Sequence, residues 1–280
     1  MADRAHRWRP SPFLAASAGV HGVALATLLA SPESWRLVVG ALVGNHLAIT
    51  ATSVLPRCGW LGPNITHLPA ARSADTVGLT FDDGPDPDLT PAVLDLLASA
   101  GARATFFCVG QRAEAHPELI AAILARGHGV ENHTYSHPNG FAFRGPRGLT
   151  REILKAQEAI ERSGAGRPRL FRAPAGMQNP WLSAVLARTG LSLVSWTRRG
   201  YDAVSNRSDR VAARLKKNLR AGDILLMHDG ASARSANGRP VVLDALADLL
   251  DEMSRKGLRS EALHAVLEPN SSGPWKPVTS

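Results

Sequence analysis

Thr80-Phe81-Asp82-Asp83-Gly84-Pro85 sets two adjacent carboxylates where an apolar run, Thr76–Phe81, meets a Gly-Pro turn. A strand sends successive side chains to opposite faces, but a turn is free of that alternation. Asp82 and Asp83 can therefore both reach one cavity. Two carboxylates that close repel, so a neighbour must offset the charge or separate their pKa values. A metal ion does both. An Asx-type turn that merely ends a strand would use the same residues.

The next chemistry-bearing segment is Glu131-Asn132-His133-Thr134-Tyr135-Ser136-His137-Pro138. On a helical turn, the spacing of His133 and His137 would stack two imidazoles on one face, as paired zinc ligands require. Two His and one carboxylate make a three-ligand site with positions open for water and substrate, the pattern of catalytic zinc. Neither Cys58 nor Cys108 has a Cys partner at ligand spacing, which argues against a thiolate zinc site. Zn2+ is the default for this donor set, and other divalent metals are compatible with it.

These two segments resemble the first two motifs of the polysaccharide deacetylase (NodB-homology) family, carbohydrate esterase family four. Three more motifs follow in order: Phe171-Arg172-Ala173-Pro174-Ala175-Gly176, Ser195-Trp196 through Asp202, and Leu225-Leu226-Met227-His228. The resemblance covers about Thr76 to Leu267. It implies that Asp83, His133 and His137 hold the metal. It implies that Asp82 is the general base, that Arg172 holds Asp82 in place, and that His228 protonates a leaving amine. An ordinary His pKa near 6.5 suits that last role. The backbone N–H of Ala175 would stabilise the oxyanion and Trp196 would form a packing wall. Asp202 would either orient His228 or cap a loop.

The chain departs from the family pattern at two places. The variable positions of the Arg-x-Pro-x-Gly motif are Ala173 and Ala175, where an aromatic is common. Arg198-Arg199 stands where a second acid is usual. Both changes imply an open, basic rim, suited to an anionic or phosphate-bearing sugar rather than to a long uncharged glycan such as chitin.

Elements that could position these residues alternate along the chain. Apolar runs predict strands over Thr76–Phe81, Ala104–Val109, His128–Asn132, Arg169–Arg172, Leu191–Trp196 and Asp223–His228. Helical patterns lie between them at Pro91–Ser99, Pro117–Arg126, Thr150–Ser163, Pro180–Arg188, Asp209–Leu219 and Val241–Arg255. Gly101, Gly127 and Gly257 stand where C-caps belong. Such alternation predicts an α/β fold with a parallel sheet. The resemblance implies an irregular (β/α) barrel, deacetylase-type and TIM-like. The motif residues fall at or just after strand C-terminal ends, where barrels keep their chemistry.

The first seventy residues read differently. Arg4, Arg7 and Arg9 precede an apolar run, Phe13–Ala30; a short polar break, Ser31–Trp35, leads to a second run, Leu37–Leu55, interrupted by Asn45 and His46. This predicts a two-helix membrane hairpin whose basic N-terminus stays cytoplasmic and returns the catalytic domain to the same side. A secretory signal peptide, placing the domain in the periplasm or outside the cell, and a soluble helical hairpin are the rival readings. The expected division is residues 1–72 for hairpin and linker, 73–268 for the deacetylase domain and 269–280 for a loose tail. The net charge of +8 is scattered, with no aromatic-interleaved basic tract, so nucleic acid is not the expected partner and anionic lipid is.

The expected function is hydrolysis of an N-acyl group, acetyl first, on an amino sugar of a glycan or a lipid-linked precursor. O-deacetylation of an acetylated polysaccharide would use the same site. A non-catalytic glycan-binding module would lack a ligand or the base, and Asp82, Asp83, His133, His137 and His228 are all present.

Overall fold

The structure, a computed structural model, describes residues 8–267. The basic positions Arg4 and Arg7 and the tail 269–280 lie outside the described residues. Two helices come first, α1 (Pro12–Ala30) and α2 (Trp35–Ser53), joined by a 3-10 turn. The rest alternates: β1 (Thr76–Asp82), α3 (Thr90–Ser99), β2 (Ala104–Cys108), α4 (Gly110–Ala115), α5 (Pro117–Ala125), β3 (Gly129–Asn132) and α6 (Pro146–Arg162). There follow β4 (Leu170–Phe171), α7 (Leu182–Thr189), β5 (Ser192–Leu193), β6 (Arg198–Arg199), α8 (Ser208–Lys216), β7 (Ile224–His228), α9 (Val241–Arg255), β8 (Arg259–Ser260) and α10 (Leu263–Leu267).

The strands form one curled parallel sheet in the order β5-β4-β3-β2-β1-β7-β6, with β8 added beside β1. Its central strands, β1, β2 and β7, are buried along their whole length, as expected when both faces are covered. Alternate residues divide the core. Leu79, Phe81, Phe106, Leu225 and Met227 pack outward against α3, α5, α8 and α9. Phe107, Ile224 and Leu226 face inward with Leu170, Val194 and Trp196. Thr80 and Asp82 share the inward phase of β1, and Asp82 stands in register with His228 of β7. The alternation therefore delivers a carboxylate and an imidazole side by side at the C-terminal edge.

Three elements differ from the sequence expectation. The run Leu191–Trp196 is not one strand. It breaks after Leu193 because Val194–Thr197 crosses from one end of the sheet to the other. Val194 N donates to Phe171 O on the β4 side, and Thr197 N donates to Ile224 O on the β7 side, both at 2.9 Å. The curl is thus closed by chain rather than by a further strand pair. The linker also joins the domain: Ile65 bridges Val194, and Ile65 and Leu68 belong to the inner core. Finally, α4 is short and has little apolar content, so it left no periodic signal. Gly101, Gly127 and Gly257 all have left-handed φ, as the C-cap reading requires.

Among the described residues, one helix, α1, is long and apolar enough to cross a membrane. The sequence reading expected two; α2 has the same length of 19 residues but carries Arg36, Asn45 and His46. The base of the hairpin is fastened to the domain. Gln178 N donates to Ser53 O at 2.9 Å, Ser195 Oγ to Pro56 O at 2.6 Å and Gln178 Nε2 to Cys58 O at 3.1 Å. Gly176 makes this approach possible: a Cβ there would fall 2.5 Å from the Trp196 ring and 2.6 Å from Pro56 Cβ. Gly176→Ala is expected to cost about 1–3 kcal/mol through overpacking, with added strain from the left-handed backbone. A thermal melt of the full chain checks this, and an unchanged midpoint would mean that the linker does not seat against Gly176.

Candidate active site

Asp82 ends β1 inside the curl, and Asp83 follows with φ 74°, a left-handed turn that breaks the strand alternation. Both carboxylates therefore reach one cavity. Asp83 Oδ1 lies 3.3 Å from His133 Nε2 and 3.2 Å from His137 Nε2. A tetrahedral metal with bonds of about 2.0–2.1 Å holds its ligand atoms roughly 3.3 Å apart. The same Oδ1 is buried with no hydrogen-bond donor. One ligand atom from each of these three residues lies within 4.8 Å of the others. The donor set and this orphaned oxygen fit a divalent cation.

His133 and His137 are not on a helical turn. The segment after β3 is a loop with left-handed φ at Thr134 and His137. It is pinned by its own side chains: Asn132 Oδ1 accepts from Thr134 N, and Thr134 Oγ1 from His137 N. The α4 amides of Gly110 and Gln111 donate to the Thr134 and Tyr135 carbonyls. These local acceptors outcompete the helical ladder. The rings still converge, with centroids 4.9 Å apart. His133 Nδ1 lies 2.8 Å from the Arg172 carbonyl, which can only accept, so Nδ1 carries the proton and Nε2 presents a lone pair.

Arg172 is fully buried below the cavity. Its Nη1 donates to Asp82 Oδ1 and to Thr80 Oγ1, both at 2.7 Å, and its Nε and Nη2 donate to the Val194 and Ser195 carbonyls. The guanidinium also stacks 4.1 Å over Phe107. Asp82 is thereby held 3.9 Å from His133 Nε2, outside the ligand cluster.

Across the cavity, Asp202 Oδ1 meets His228 Nδ1 at 3.0 Å, and Oδ2 accepts from the His228 amide at 2.7 Å. Asp202 is therefore an orienting group. Burial works against a charged His228, but the hydrogen bond and charge of Asp202, with the charges of Asp82 and Asp83, push its pKa up to about 9. This is well above the ordinary value expected from the sequence. Burial also opposes the charge on Asp83, yet the surrounding imidazoles of His133, His228 and His137 more than offset it and hold its pKa below the usual carboxylate range.

The cavity measures about 130 Å³ and is lined by Asp82, Asp83, His133, His137, Ala175, Trp196, Arg199 and His228 among others. Ala175 has left-handed φ 55°. Arg172 and Asp202 stand behind this wall. The expected basic rim is corrected: Arg198 turns to Asp223 at 2.7 Å, at the start of β7 and away from the mouth. Only Arg199 lines the cavity, between the Trp196 and Tyr201 rings.

Sequence reasoning passed over Thr80 and Asp229. Thr80 stood in the first motif but was given no role. Asp229 followed His228 in plain view as His-Asp-Gly. It is fully buried, its Oδ2 accepts from Thr90 Oγ1 at 2.6 Å, and its Oδ1 has no donor. Gly84 lets it approach, since a Cβ there would meet Oδ2 at 2.1 Å.

A three-donor cluster beside a guarded carboxylate and an oriented imidazole, at the C-terminal edge of a curled parallel sheet, has the arrangement of a hydrolytic centre that could hold a divalent cation. The sequence model described as polysaccharide deacetylase matches residues 70–194. A peptidoglycan-N-acetylglucosamine deacetylase of Bacillus cereus is 35% identical over 185 residues, 65% of this chain and 84% of that protein. A chitooligosaccharide deacetylase of Bradyrhizobium sp. is 37% identical over 196 residues, 67% of this chain and 89% of that protein. A family 4 carbohydrate esterase from Streptomyces lividans, solved with acetate, superposes with TM-score 0.61 at 34% identity, covering 73% of this chain and 99% of that one. The chain belongs to the polysaccharide deacetylase family, the carbohydrate deacetylases of esterase family four.

Burial, with the charges of Asp83 and Asp82, pushes the pKa of Asp229 up from 3.8 to about 7, against the Thr90 hydrogen bond. The folded state then binds a proton that the unfolded state has lost, so stability falls as pH rises from about 4 to about 7. Asp229→Asn removes this loss. In chelator-treated protein, its melting temperature relative to the parent is expected to rise between pH 5 and pH 8. A constant difference would mean that Asp229 is ionised throughout.

Proposed function

We propose that the protein is a metal-dependent N-deacetylase acting on an N-acetylated amino sugar. The observation that carries this reading is the separation of the two adjacent carboxylates: Asp83 meets both imidazoles, while Arg172 holds Asp82 apart. Asp83, His133 and His137 would hold the cation, Zn2+ by default, which when bound supplies Lewis acidity and lowers the pKa of water.

Asp82 takes the proton from the attacking water, and Arg172 keeps its carboxylate oriented for that transfer. The Ala175 N–H stabilises the developing oxyanion. His228, with its proton on Nδ1 fixed by Asp202, gives the Nε2 proton to the amine nitrogen as the C–N bond breaks. Water and amide become acetate and free amine. Burial opposes a charged His228, but the Asp202 carboxylate behind Nδ1 raises its pKa and favours the protonated form. That favours amide over ester cleavage, because an amine cannot leave unprotonated whereas an alkoxide needs less help. The relatives named for N-acetylglucosamine substrates support the same choice.

Asp82→Asn is expected to lower kcat by about 10²–10⁴-fold, the range for removing a general base, while retaining zinc in equilibrium dialysis. Loss of zinc together with turnover would mean that Asp82 is a ligand and that the roles of the two carboxylates are exchanged.

We infer also that the hairpin stays in the mature protein and anchors it, with the domain on the side of the basic N-terminus. The exposed apolar surface of both helices and Arg4, Arg7 and Arg9 before them support this. The expected outcome of alkaline carbonate extraction is full-length chain in the membrane pellet, with the domain open to protease only in inside-out vesicles. A soluble species beginning after Ala30 would establish a cleaved signal instead.

A further inference from the structure

The pocket wall and the hairpin base are one piece. Pro56 packs on Gly176 and takes the Ser195 hydroxyl, and Gly176 and Trp196 line the cavity. The mouth therefore opens beside the point where α2 ends.

Four aromatic rings stand exposed around that base. Trp8 precedes α1, Trp60 follows α2, Trp181 precedes α7 and Phe143 follows the His137 loop, with exposures of 39%, 61%, 54% and 89%. Their positions are coupled. Trp8 Nε1 donates to Ser183 Oγ at 3.2 Å. Asn179 Nδ2 donates to the carbonyls on either side of Phe143, and its Oδ1 accepts from the Trp181 amide. At the far end of the hairpin, Trp35 is also exposed.

Between these ends most outward residues of both helices are apolar, Val23, Leu29, Leu37, Val43 and Leu47 among them, with His21, Arg36, His46 and Thr50 as the exposed polar exceptions. Each helix has 19 residues and so spans about 28 Å, close to a hydrocarbon thickness of about 30 Å. Aromatic rings at both ends of an apolar span mark the two interfaces. Some polar groups inside the span pair between the two helices, although His21 and His46 are also exposed. Asn45 Nδ2 donates to Ser17 Oγ at 2.9 Å, and His21 meets His46 edge to face.

One cation stands in the cavity wall itself. The buried Nε of Arg199 has no acceptor among the described residues, although the side chain lines the cavity. An N–H left unmet in a pocket wall is costly and is best met by an anionic oxygen. Arg57, on the linker, spends one N–H on Thr197 O, which fixes a second cation to the segment that carries Trp196 and Arg199.

We propose that the face bearing the mouth rests on the membrane surface and that the substrate is an N-acylated amino sugar carried on a membrane lipid through a phosphate. This rests on the N-deacetylase reading and adds the substrate class. The lipid lies in the bilayer beside the hairpin, the phosphate meets Arg199, and the sugar turns its acyl group toward Asp82 and His228.

Full-length protein in phosphatidylcholine vesicles tests this with two probes at matched sugar concentration. One is a polyprenyl phosphate ester of N-acetylglucosamine in the same vesicles; the other is soluble chitotetraose. Acetate release is expected to be at least about tenfold faster from the vesicle-borne probe, through its raised effective concentration. The double variant Phe143→Ser, Trp181→Ser is expected to lower the ratio of the two rates severalfold, and both positions are exposed enough to leave folding intact. Arg199→Gln is expected to raise KM for the phosphate-linked probe more than for chitotetraose. Faster release from chitotetraose, or a ratio that the double variant leaves unmoved, overturns the inference and leaves the N-deacetylase reading standing. Release from neither probe overturns both.

Discussion

The guanidinium of Arg172 is the interaction on which the rest of the site depends. A charge with no exposure to water must be paired and fully hydrogen-bonded, and breaking such a pair costs about 3–5 kcal/mol because the remaining charge is stranded. Arg172 meets that demand by drawing on β1 through Thr80 and Asp82 and on the crossing segment through Val194 and Ser195. The arginine thus ties the central strand of the curled sheet to the segment that closes the curl. In doing so it gives Asp82 a partner other than a histidine, so two adjacent aspartates can hold different positions in one cavity.

The imidazoles follow the same logic. The carbonyl of Arg172 fixes the proton of His133, and Asp202 fixes that of His228. In each case Nδ1 is bound from behind and Nε2 faces the cavity. The two rings differ in what lies behind them, a neutral carbonyl for one and a carboxylate for the other. That difference suits a lone-pair donor in the first place and a proton donor in the second.

Much of this was legible in the sequence, because parallel strands buried on both faces leave apolar runs and because the motifs fall at strand ends. Thr76–Phe81 and Asp223–His228 are of this kind. What escaped was set by tertiary partners. The run Leu191–Trp196 looked like one strand, since nothing local records that Val194–Thr197 must change neighbours. The His133–His137 spacing suited a helical turn, yet Asn132 and Thr134 captured the amides. Arg198 and Arg199 looked like a pair, but adjacent strand residues point opposite ways, and Asp223 claimed the first. Pro56 carried no signal at all, because its part in the wall comes from the absence of a Cβ at a distant glycine.

The hydrogen bonds that fasten Ser53, Pro56 and Cys58 to the domain have a kinetic meaning. A domain on a slack tether sweeps a volume, and its encounters depend on linker length. Here the hairpin runs into the cavity wall with no free chain between. Such an enzyme gives up reach for aim. On a bilayer, its encounter rate would be set by lateral diffusion of two partners held at one height, and lengthening the junction would slow it rather than free it.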